Sequence, residues 1–290
     1  MKKLLMSLCA VGALVAVCLT LSCEKPSLSE KESGAAEGNL KVSVFQIEKT
    51  PFESVTRGAS KDACTRLNFA IYDKESTRVK QINQTSDSES FGTASFQLEK
   101  GDYLLVVVGH SSNGNPTMTD PTCIKFTNAQ GYTDTFICCE NISIGDDPVE
   151  MKVTLDRIVA LCRFVITDDI PSGVSKMRFY YTGGSGAFDA TTGLGCVNSK
   201  QDEKFDVSAS QKQFDLYTFL HDVEGTIHLT VTALDVDGNE LYIRSFDVPM
   251  QRNYITWVSG AYFNGSVSSA STITGVTVNA DWAGETHITF

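Results

Sequence analysis

From residue 40 onward, apolar side chains recur at every second position, and this alternation constrains the fold more than any other feature of the sequence. It is clearest in residues 40–44 and 67–71. A period of two is typical of strands with one buried face, and the helical period of 3.6 is nearly absent. Residues 103–109, YLLVVVG, are continuously apolar and predict a strand covered on both faces.

Other segments show the alternation or form short apolar runs bounded by turn residues. They predict strands at residues 136–144, 150–155, 157–167, 175–181, 226–236, 240–248, 254–263 and 272–290. Asp237-Gly238-Asn239 separates two of these segments and predicts a hairpin. Lys100-Gly101-Asp102 predicts a turn, and the polar residues 87–93 and 200–207 predict loops.

Roughly a dozen short strands without helices favour β-sandwiches over a fold that alternates strands and helices. The turn Asp146-Asp147-Pro148 lies near the midpoint, and Arg157 then opens a long predicted strand. We therefore expect an all-β protein with two sandwich domains, formed by residues 40–155 and residues 156–290.

The segment before this body is typical of a secretory signal. Lys2 and Lys3 precede the apolar residues 4–21, and the small Ser22 stands directly before Cys23. This ending resembles the lipobox of bacterial lipoproteins, which implies removal of residues 1–22 and acylation of Cys23. An ordinary cleaved signal is the alternative. Residues 23–39 are rich in Ser, Gly and Glu, so they predict a lipidated, flexible tether.

The balance of charge argues against one class of partner. The chain carries 24 Lys and Arg against 35 Asp and Glu, a formal net charge of −11, and removal of Lys2 and Lys3 makes the remainder more acidic. Nucleic-acid binding requires clustered basic side chains, so no nucleic-acid partner is expected. Attachment to an anionic membrane would rest on acyl chains rather than on charge.

Six cysteines follow Cys23, and export would place them in a compartment that permits disulfides. They are Cys64, Cys123, Cys138, Cys139, Cys162 and Cys196. Six cysteines allow many connectivities, so the sequence predicts at least one pair but not which one. Neither a C-x-x-C pair nor a nearby histidine provides zinc-ligand spacing, so no metal is expected.

No motif predicts catalysis or a cofactor. The four histidines show no ligand spacing, and they are His110, His221, His228 and His287. His228 is predicted on the solvent face of a strand, where a lone histidine is typically structural. The glycine-rich residues 183–186 lack the Lys-Ser/Thr of a phosphate loop. We therefore expect a non-enzymatic protein without a cofactor.

Three segments resemble the fimbrillin superfamily of Bacteroidales. Residues 96–110, FQLEKGDYLLVVVGH, are similar to a strand–turn–strand of its N-terminal transthyretin-like domain. Residues 153–166, VTLDRIVALCRFVI, are similar to the entry into its second domain, and residues 249–263, PMQRNYITWVSGAYF, to a late R-N-x-x-T-x-x-x-G signature. The resemblance covers residues 40–290. It implies two tandem transthyretin-like, Greek-key β-sandwiches in a lipoprotein exposed on the outer membrane.

Within that superfamily the favoured branch is the anchor type, a lipoprotein that joins a fimbria to the outer membrane. The resemblance implies that its partners are other fimbrial subunits, bound by donor-strand β-augmentation, in which a strand from one subunit completes the sheet of another. The segment expected to contact its own sheet or a partner's contains Ile273, Val276, Val278 and residues 282–290.

Stalk or tip adhesins of the same superfamily are an alternative. In stalk subunits a protease cuts after an arginine and removes the first strand. Arg57 and Arg66 are candidate sites here, and a cut at Arg57 would free residues 40–47. A second alternative is a surface lipoprotein that binds a host or bacterial glycan through exposed aromatic side chains, with Tyr180, Tyr181 and Trp282 as candidates.

Overall fold

The structure, a computed structural model, describes residues 38–47, 50–51, 64–127, 131–207, 211–264 and 282–290. These ranges contain strands and no helix, which confirms the predicted all-β fold. The strands of the first half are β1 Leu40–Ile47, β2 Thr50–Pro51, β3 Arg66–Tyr72, β4 Arg78–Thr85, β5 Thr93–Phe96, β6 Gly101–His110, β7 Ile124–Lys125, β8 Thr135–Ile144 and β9 Val149–Arg157. Those of the second half are β10 Val159–Ile166, β11 Lys176–Gly184, β12 Ala187–Asp189, β13 Leu194–Gly195, β14 Ser199–Asp206, β15 Gln213–Phe219, β16 Glu224–Leu234, β17 Glu240–Gln251, β18 Tyr254–Gly260 and β19 Gly284–Thr289.

The first half forms an eight-stranded sheet in the order β2-β1-β9-β8-β6-β3-β4, with β5 also paired to β1. β8 and β9 pair only through Phe136–Arg157 and Ile137–Asp156, so two layers of strands meet at this corner. Side chains of β1 from one layer and of β3 and β6 from the other share one apolar core. The alternation of the sequence produces this arrangement because every second side chain of each strand points into that core.

The second half consists of two four-stranded sheets that face each other across a second apolar core. Their strand orders are β15-β10-β18-β19 and β14-β11-β16-β17. Phe164 of β10 and Phe179 of β11 meet edge to face at 5.5 Å between ring centroids, which places the two sheets in direct contact. This half is therefore a sandwich of two packed sheets.

A small third sheet, β13-β12-β7, contains strands from both halves, because β7 of the first pairs with β12 of the second. A third apolar cluster likewise draws residues from both halves, including Val106 and Val108 of β6. Leu105 and Val107 of the same strand point into the first core. The continuous apolar run in residues 103–109 is thus explained by burial of both faces of β6, as predicted. The division into two domains near residues 155–157 stays a prediction.

Residues 200–207 were predicted to form a loop, and this is wrong, because most of them belong to β14. Its inward positions include Gln201 and Glu203, both buried, while Lys200, Asp202 and Lys204 are exposed. The strand therefore alternates in burial but not in polarity, and a search for apolar alternation does not detect it.

Two boundaries and two whole strands differ from the sequence-based expectation. Arg157 ends β9 instead of opening β10, and Gly101 begins β6 instead of turning the chain. β4 and β15 were not predicted. Of the expected strand over residues 272–290, only residues 282–290 are described, and β19 lies within them.

Candidate functional site

Several of the predicted site residues, Cys23, Arg57, Ile273, Val276 and Val278, lie outside the described residues. Arg66 is the first residue of β3 and is paired with Thr85 of β4 and His110 of β6. Its guanidinium group donates to the carbonyl of Asn113 at 3.1 Å. Arg66 is thus held in the sheet, and cleavage after it stays a prediction.

β1 is the strand that cleavage at Arg57 would release, and it is fully integrated into the sheet. It pairs in parallel with β9 from Leu40 to Ile47 and antiparallel with β5 from Leu40 to Ser43. The side chains of Leu40 and Val42 are fully buried, and those of Val44 and Ile47 are nearly so. Removing β1 would leave two strands without their partner and an apolar groove in the first core.

β19, at the other end of the chain, is also docked in its own sheet. It pairs in parallel with β18 from Tyr254–Gly284 to Ser259–Thr289. The ring of Phe290, directly after it, stacks on Phe164 with centroids 5.3 Å apart, inside the second core. The described part of the predicted contact segment therefore contacts its own sheet.

β17 ends its sheet and is the longest strand of the structure, with 12 residues. Among the strands that the structure describes, only β16 is hydrogen-bonded to it, so its other edge has no described partner strand. The hairpin between β16 and β17 carries an exposed apolar surface that we call the hairpin tip, formed by Val236, Leu241 and Ile243. Ile243 is 60% exposed and Val236 83%. The sequence placed the hairpin correctly but did not reveal this surface, although Leu-Tyr-Ile after Glu240 interrupts the alternation.

Segments that carry the sequence resemblance meet around Arg157, which is 6% exposed at its side chain. Its guanidinium donates to both carboxylate oxygens of Asp134, at 2.7 and 2.9 Å, and to the amide oxygen of Asn253 at 3.1 Å. The same group lies between the rings of Phe136 and Trp282, at 4.8 and 4.0 Å from their centroids. The planar guanidinium of arginine can donate two parallel hydrogen bonds to a carboxylate while its faces contact aromatic rings, and the ammonium group of lysine cannot.

The late signature R-N-x-x-T-x-x-x-G has a structural role at several of its positions. Asn253 adopts φ = 62°, a left-handed conformation that asparagine tolerates better than most residues, in the turn between β17 and β18. Thr256 donates its hydroxyl to the carbonyl of Pro249 at 2.9 Å. A Cβ atom on Gly260 would lie within 3 Å of Phe290. These residues therefore shape the end of the second sandwich.

The aromatic candidates for glycan binding are placed differently from the prediction. Tyr181 is 1% exposed and Trp282 is 8% exposed, so neither offers an open ring face. Tyr181 points into the second core, and Trp282 covers Arg157. Tyr180 is half-buried, with the Arg178 guanidinium 5.8 Å from its centroid. The expectation that all three are exposed was wrong, because strand alternation turns Tyr181 inward.

A polar cleft of about 550 Å³ lies at the end of β6. It is lined by Ser111, Ser112, Asn113, Gly114, Asn115, Phe126, Thr127, Gly131 and Thr133. Hydroxyl and amide groups beside a half-buried aromatic ring are the groups that hydrogen-bond and stack on polar ligands such as sugars. No sequence motif marks this cleft, since its residues come from two separate loops.

The histidines do not form a reactive cluster. Burial lowers the pKa of His110 to about 3, and its Nδ1 accepts from the backbone N–H of Ser112 at 3.1 Å while Nε2 lies 2.8 Å from the Asn68 side-chain oxygen. A neutral ring held at both nitrogens is structural. His228, on the exposed face of β16 as predicted, lies 2.6 Å from Asp247.

Glu203 is a buried carboxyl group that the sequence did not indicate. The Tyr181 hydroxyl donates to its Oε1 at 2.7 Å, and burial raises the pKa of Glu203 to about 7. The neighbouring Gln201 donates to the Tyr132 hydroxyl at 2.7 Å. Tyr132 belongs to the first half, and Glu203 lies beside Gly131, which lines the polar cleft. Glu203 and Gln201 are buried, and we treat this cluster as part of the core.

Within the described ranges, no group of three or more His, Cys, Asp and Glu side chains could hold a metal ion. In that same part of the chain, no helix has the length and apolar character needed to cross a bilayer. The six described cysteines are free thiols, and the Sγ atoms of Cys123 and Cys196 are 3.3 Å apart. The other four, Cys64, Cys138, Cys139 and Cys162, are buried or half-buried.

A family model matches residues 32–289, nearly the whole chain. The chain belongs to the family of unknown function DUF6562. No curated protein matches its sequence.

Solved structures that resemble this chain include a candidate adhesin from Bacteroides ovatus, 14% identical over 71% of this chain and 82% of that one, with a TM-score of 0.48. A candidate polysaccharide-binding protein from Bacteroides thetaiotaomicron is 11% identical over 70% of this chain and 78% of that one, with a TM-score of 0.43. A fimbrial anchor protein from Porphyromonas gingivalis is 13% identical over 71% of this chain and 80% of that one, with a TM-score of 0.40. A fimbrial protein is thus among the solved structures that this chain resembles. At these identities and TM-scores, no role passes from them to individual residues of this chain.

Proposed function

We propose that the protein is a non-enzymatic lipoprotein of the outer-membrane surface that anchors or assembles a fimbria, and that it joins other fimbrial subunits by β-strand addition. The sequence supports the export and the acylation of Cys23, and the resemblance in residues 40–290 supports the fimbrial role. The observation that carries the anchor role is that both terminal strands of the described body, β1 and β19, are docked in the chain's own sheets.

A docked β1 keeps the body connected to Cys23. The four core-facing side chains of β1 are nearly or fully buried, so the strand does not leave its groove without exposing that apolar surface. An anchor needs this continuity, because the acyl chains at Cys23 hold the body only while the chain between them is intact. A stalk subunit needs the opposite, a groove vacated by cleavage.

A docked β19 is unavailable as a donor to another subunit, so among the described strands we look for an acceptor. The edge of β17 that has no partner among the described strands suits the role of acceptor, since a free edge presents unpaired N–H and C=O groups to an incoming strand. The hairpin tip adds apolar surface beside that edge, which an added strand would cover.

The experiment that tests this proposal is mass spectrometry of the mature N-terminus in protein isolated together with fimbriae. We expect an acylated Cys23 as the first residue. A chain that begins at Gly58, directly after Arg57, would support the stalk alternative instead. Filaments of normal length and attachment in cells that lack the gene would overturn the fimbrial role altogether.

Glycan binding is a second candidate function, and the polar cleft beside β6 favours it. Asn115 lines the cleft and accepts from the Asn68 side chain at 3.0 Å, so its amide is held in place. A glycan array probed with the purified chain tests this candidate. We expect any hit to be lost in Asn113→Ala and kept in Tyr180→Ala, which lies outside the cleft.

A further inference from the structure

Cys123 and Cys196 lie at one end of the small sheet that contains strands of both halves. Cys123 precedes β7 and Cys196 follows β13, the strands on either side of β12. Their Sγ atoms are 3.3 Å apart although 73 positions separate them in the sequence. We propose that these two cysteines form a disulfide that ties the first half of the chain to the second.

The backbone on each side of this pair is fixed. The N–H of Cys123 donates to Asp120 at 3.1 Å, and the N–H of Cys196 donates to Ala187 at the same distance. The two residues are thus presented by ordered segments and not by free loops. A disulfide bond is about 2 Å long, so closure requires a shift of about 1 Å between the sulfur atoms, which small side-chain rotations supply.

Accessibility separates this pair from Cys64, Cys138 and Cys162, and position separates it from the half-buried Cys139. Cys196 is exposed and Cys123 half-buried, so an oxidant in solution reaches them. Cys64, Cys138 and Cys162 are buried, so an oxidant in solution does not reach their sulfur atoms while the chain is folded. Cys138 and Cys139 are adjacent in β8 and point to opposite faces. We expect one disulfide and four thiols.

Forming this disulfide requires an electron acceptor from outside the chain. Either oxidised glutathione or the disulfide of a thiol oxidoreductase can accept the two electrons. One cysteine thiolate attacks a sulfur of the oxidant, forms a mixed disulfide and expels one thiol. The second cysteine then attacks the mixed disulfide and expels the other thiol. Cys123 and Cys196 lose their two thiol hydrogens and two electrons, and the oxidant becomes two thiols.

Peptide mapping tests the bond directly. The full chain is treated with oxidised glutathione, blocked with iodoacetamide without reductant and digested with trypsin. Residues 101–125 and residues 179–200 are tryptic peptides that contain Cys123 and Cys196 as their single cysteines. We expect them joined, lighter than their sum by two hydrogen atoms, in protein that migrates as a monomer without reductant. Reduction should separate them.

Two variants provide the matched controls. In Cys123→Ser the peptide of residues 179–200 should carry glutathione or the iodoacetamide group and no linked peptide, whereas in Cys139→Ser the linked peptide should remain. The proposal is overturned if both wild-type peptides carry the blocking group after treatment with oxidised glutathione, or if either is joined to a different cysteine. Since the bond forms in purified protein, this result does not depend on the fimbrial role.

Discussion

Among single residues, Arg157 connects three segments that are distant in the sequence. It pairs with Asp134 before β8, bonds Asn253 after β17 and stacks on Trp282 before β19. Replacing it with alanine would leave the buried Asp134 carboxylate without its counter-charge. We expect Arg157→Ala to lower the free energy of unfolding by about 3–5 kcal/mol, measured by denaturant titration.

A surface pair of the same chemistry is the control for Arg157. Arg178 donates to both oxygens of Asp202 at 2.7 and 2.6 Å, but the two side chains are 30% and 40% exposed. Water screens this pair, so Arg178→Ala should cost less than about 1 kcal/mol. Equal losses in the two variants would contradict the role given to burial.

The Glu203 carboxyl group makes stability depend on pH. Its pKa is raised from 4.5 to about 7 in the folded chain, so the folded state binds more protons than the unfolded state between these values. The stabilisation that Glu203 contributes is therefore fully present below its pKa in the unfolded chain. It is lost as the pH rises through about 7, and the loss amounts to about 3 kcal/mol. Unfolding free energies at about pH 5 and about pH 8 measure the change.

Glu203→Gln should remove most of this pH dependence, because the amide retains an acceptor for Tyr181 and does not ionise. Asp206→Asn is the control on the same strand, where the carboxylate is 85% exposed beside Lys176. It should leave the slope unchanged. A slope that persists in Glu203→Gln would assign the effect to another group.

Individual residues were predictable where the sequence carries a local pattern and not where distant segments meet. The resemblance marked Arg157, and the signature marked Asn253, but their contact spans 96 positions and has no local signal. Gln201 and Glu203 were assigned to a loop because polar residues at inward positions conceal a strand.

Among the elements, β17 offers the clearest test of strand addition. Lysine on an edge strand hinders pairing with another chain. Ile243 is 60% exposed, so Ile243→Lys should change the unfolding free energy by less than about 0.5 kcal/mol. We expect it to reduce co-isolation with fimbriae several-fold, as quantified by immunoblotting.

Val79→Lys is the matched variant on another edge. Val79 is 40% exposed on β4, which ends the sheet of the first half. It should leave co-isolation unchanged. If both lysines reduce co-isolation equally, charge rather than the β17 edge is responsible, and the proposed acceptor strand is wrong.

Elements with strong alternation were predicted well, as β1, β3 and the β16–β17 hairpin show. β4, with the sequence RVKQINQT, lacks apolar alternation because Val79 and Ile82 are its only apolar residues and they are three positions apart. Strands of two or three residues, such as β7 and β12, are too short to show a period, so the sheet that contains strands of both halves could not be anticipated.

For the whole molecule, attachment through Cys23 is the property with the largest consequence. Cys23→Ser removes the sulfur that the lipobox resemblance marks for acylation. We expect growth with an alkyne-tagged fatty acid to label the wild-type chain and not this variant. Cys196→Ser should keep the label, because its thiol lies in the folded body. A wild-type chain without label would refute lipid attachment.

The direction of β1 has a mechanical consequence. β1 and β9 run parallel from Leu40 to Ile47, and β9 continues towards β10 and the second half. Suppose that the chain is pulled on the N-terminal side of Gly38 and held at the C-terminal end of β9. The two parallel strands are then pulled in opposite directions along their length. Their hydrogen bonds are then strained together in shear, whereas a hairpin pulled at its open end loses them one at a time. The first strand is thereby oriented to act as a clamp that bears force.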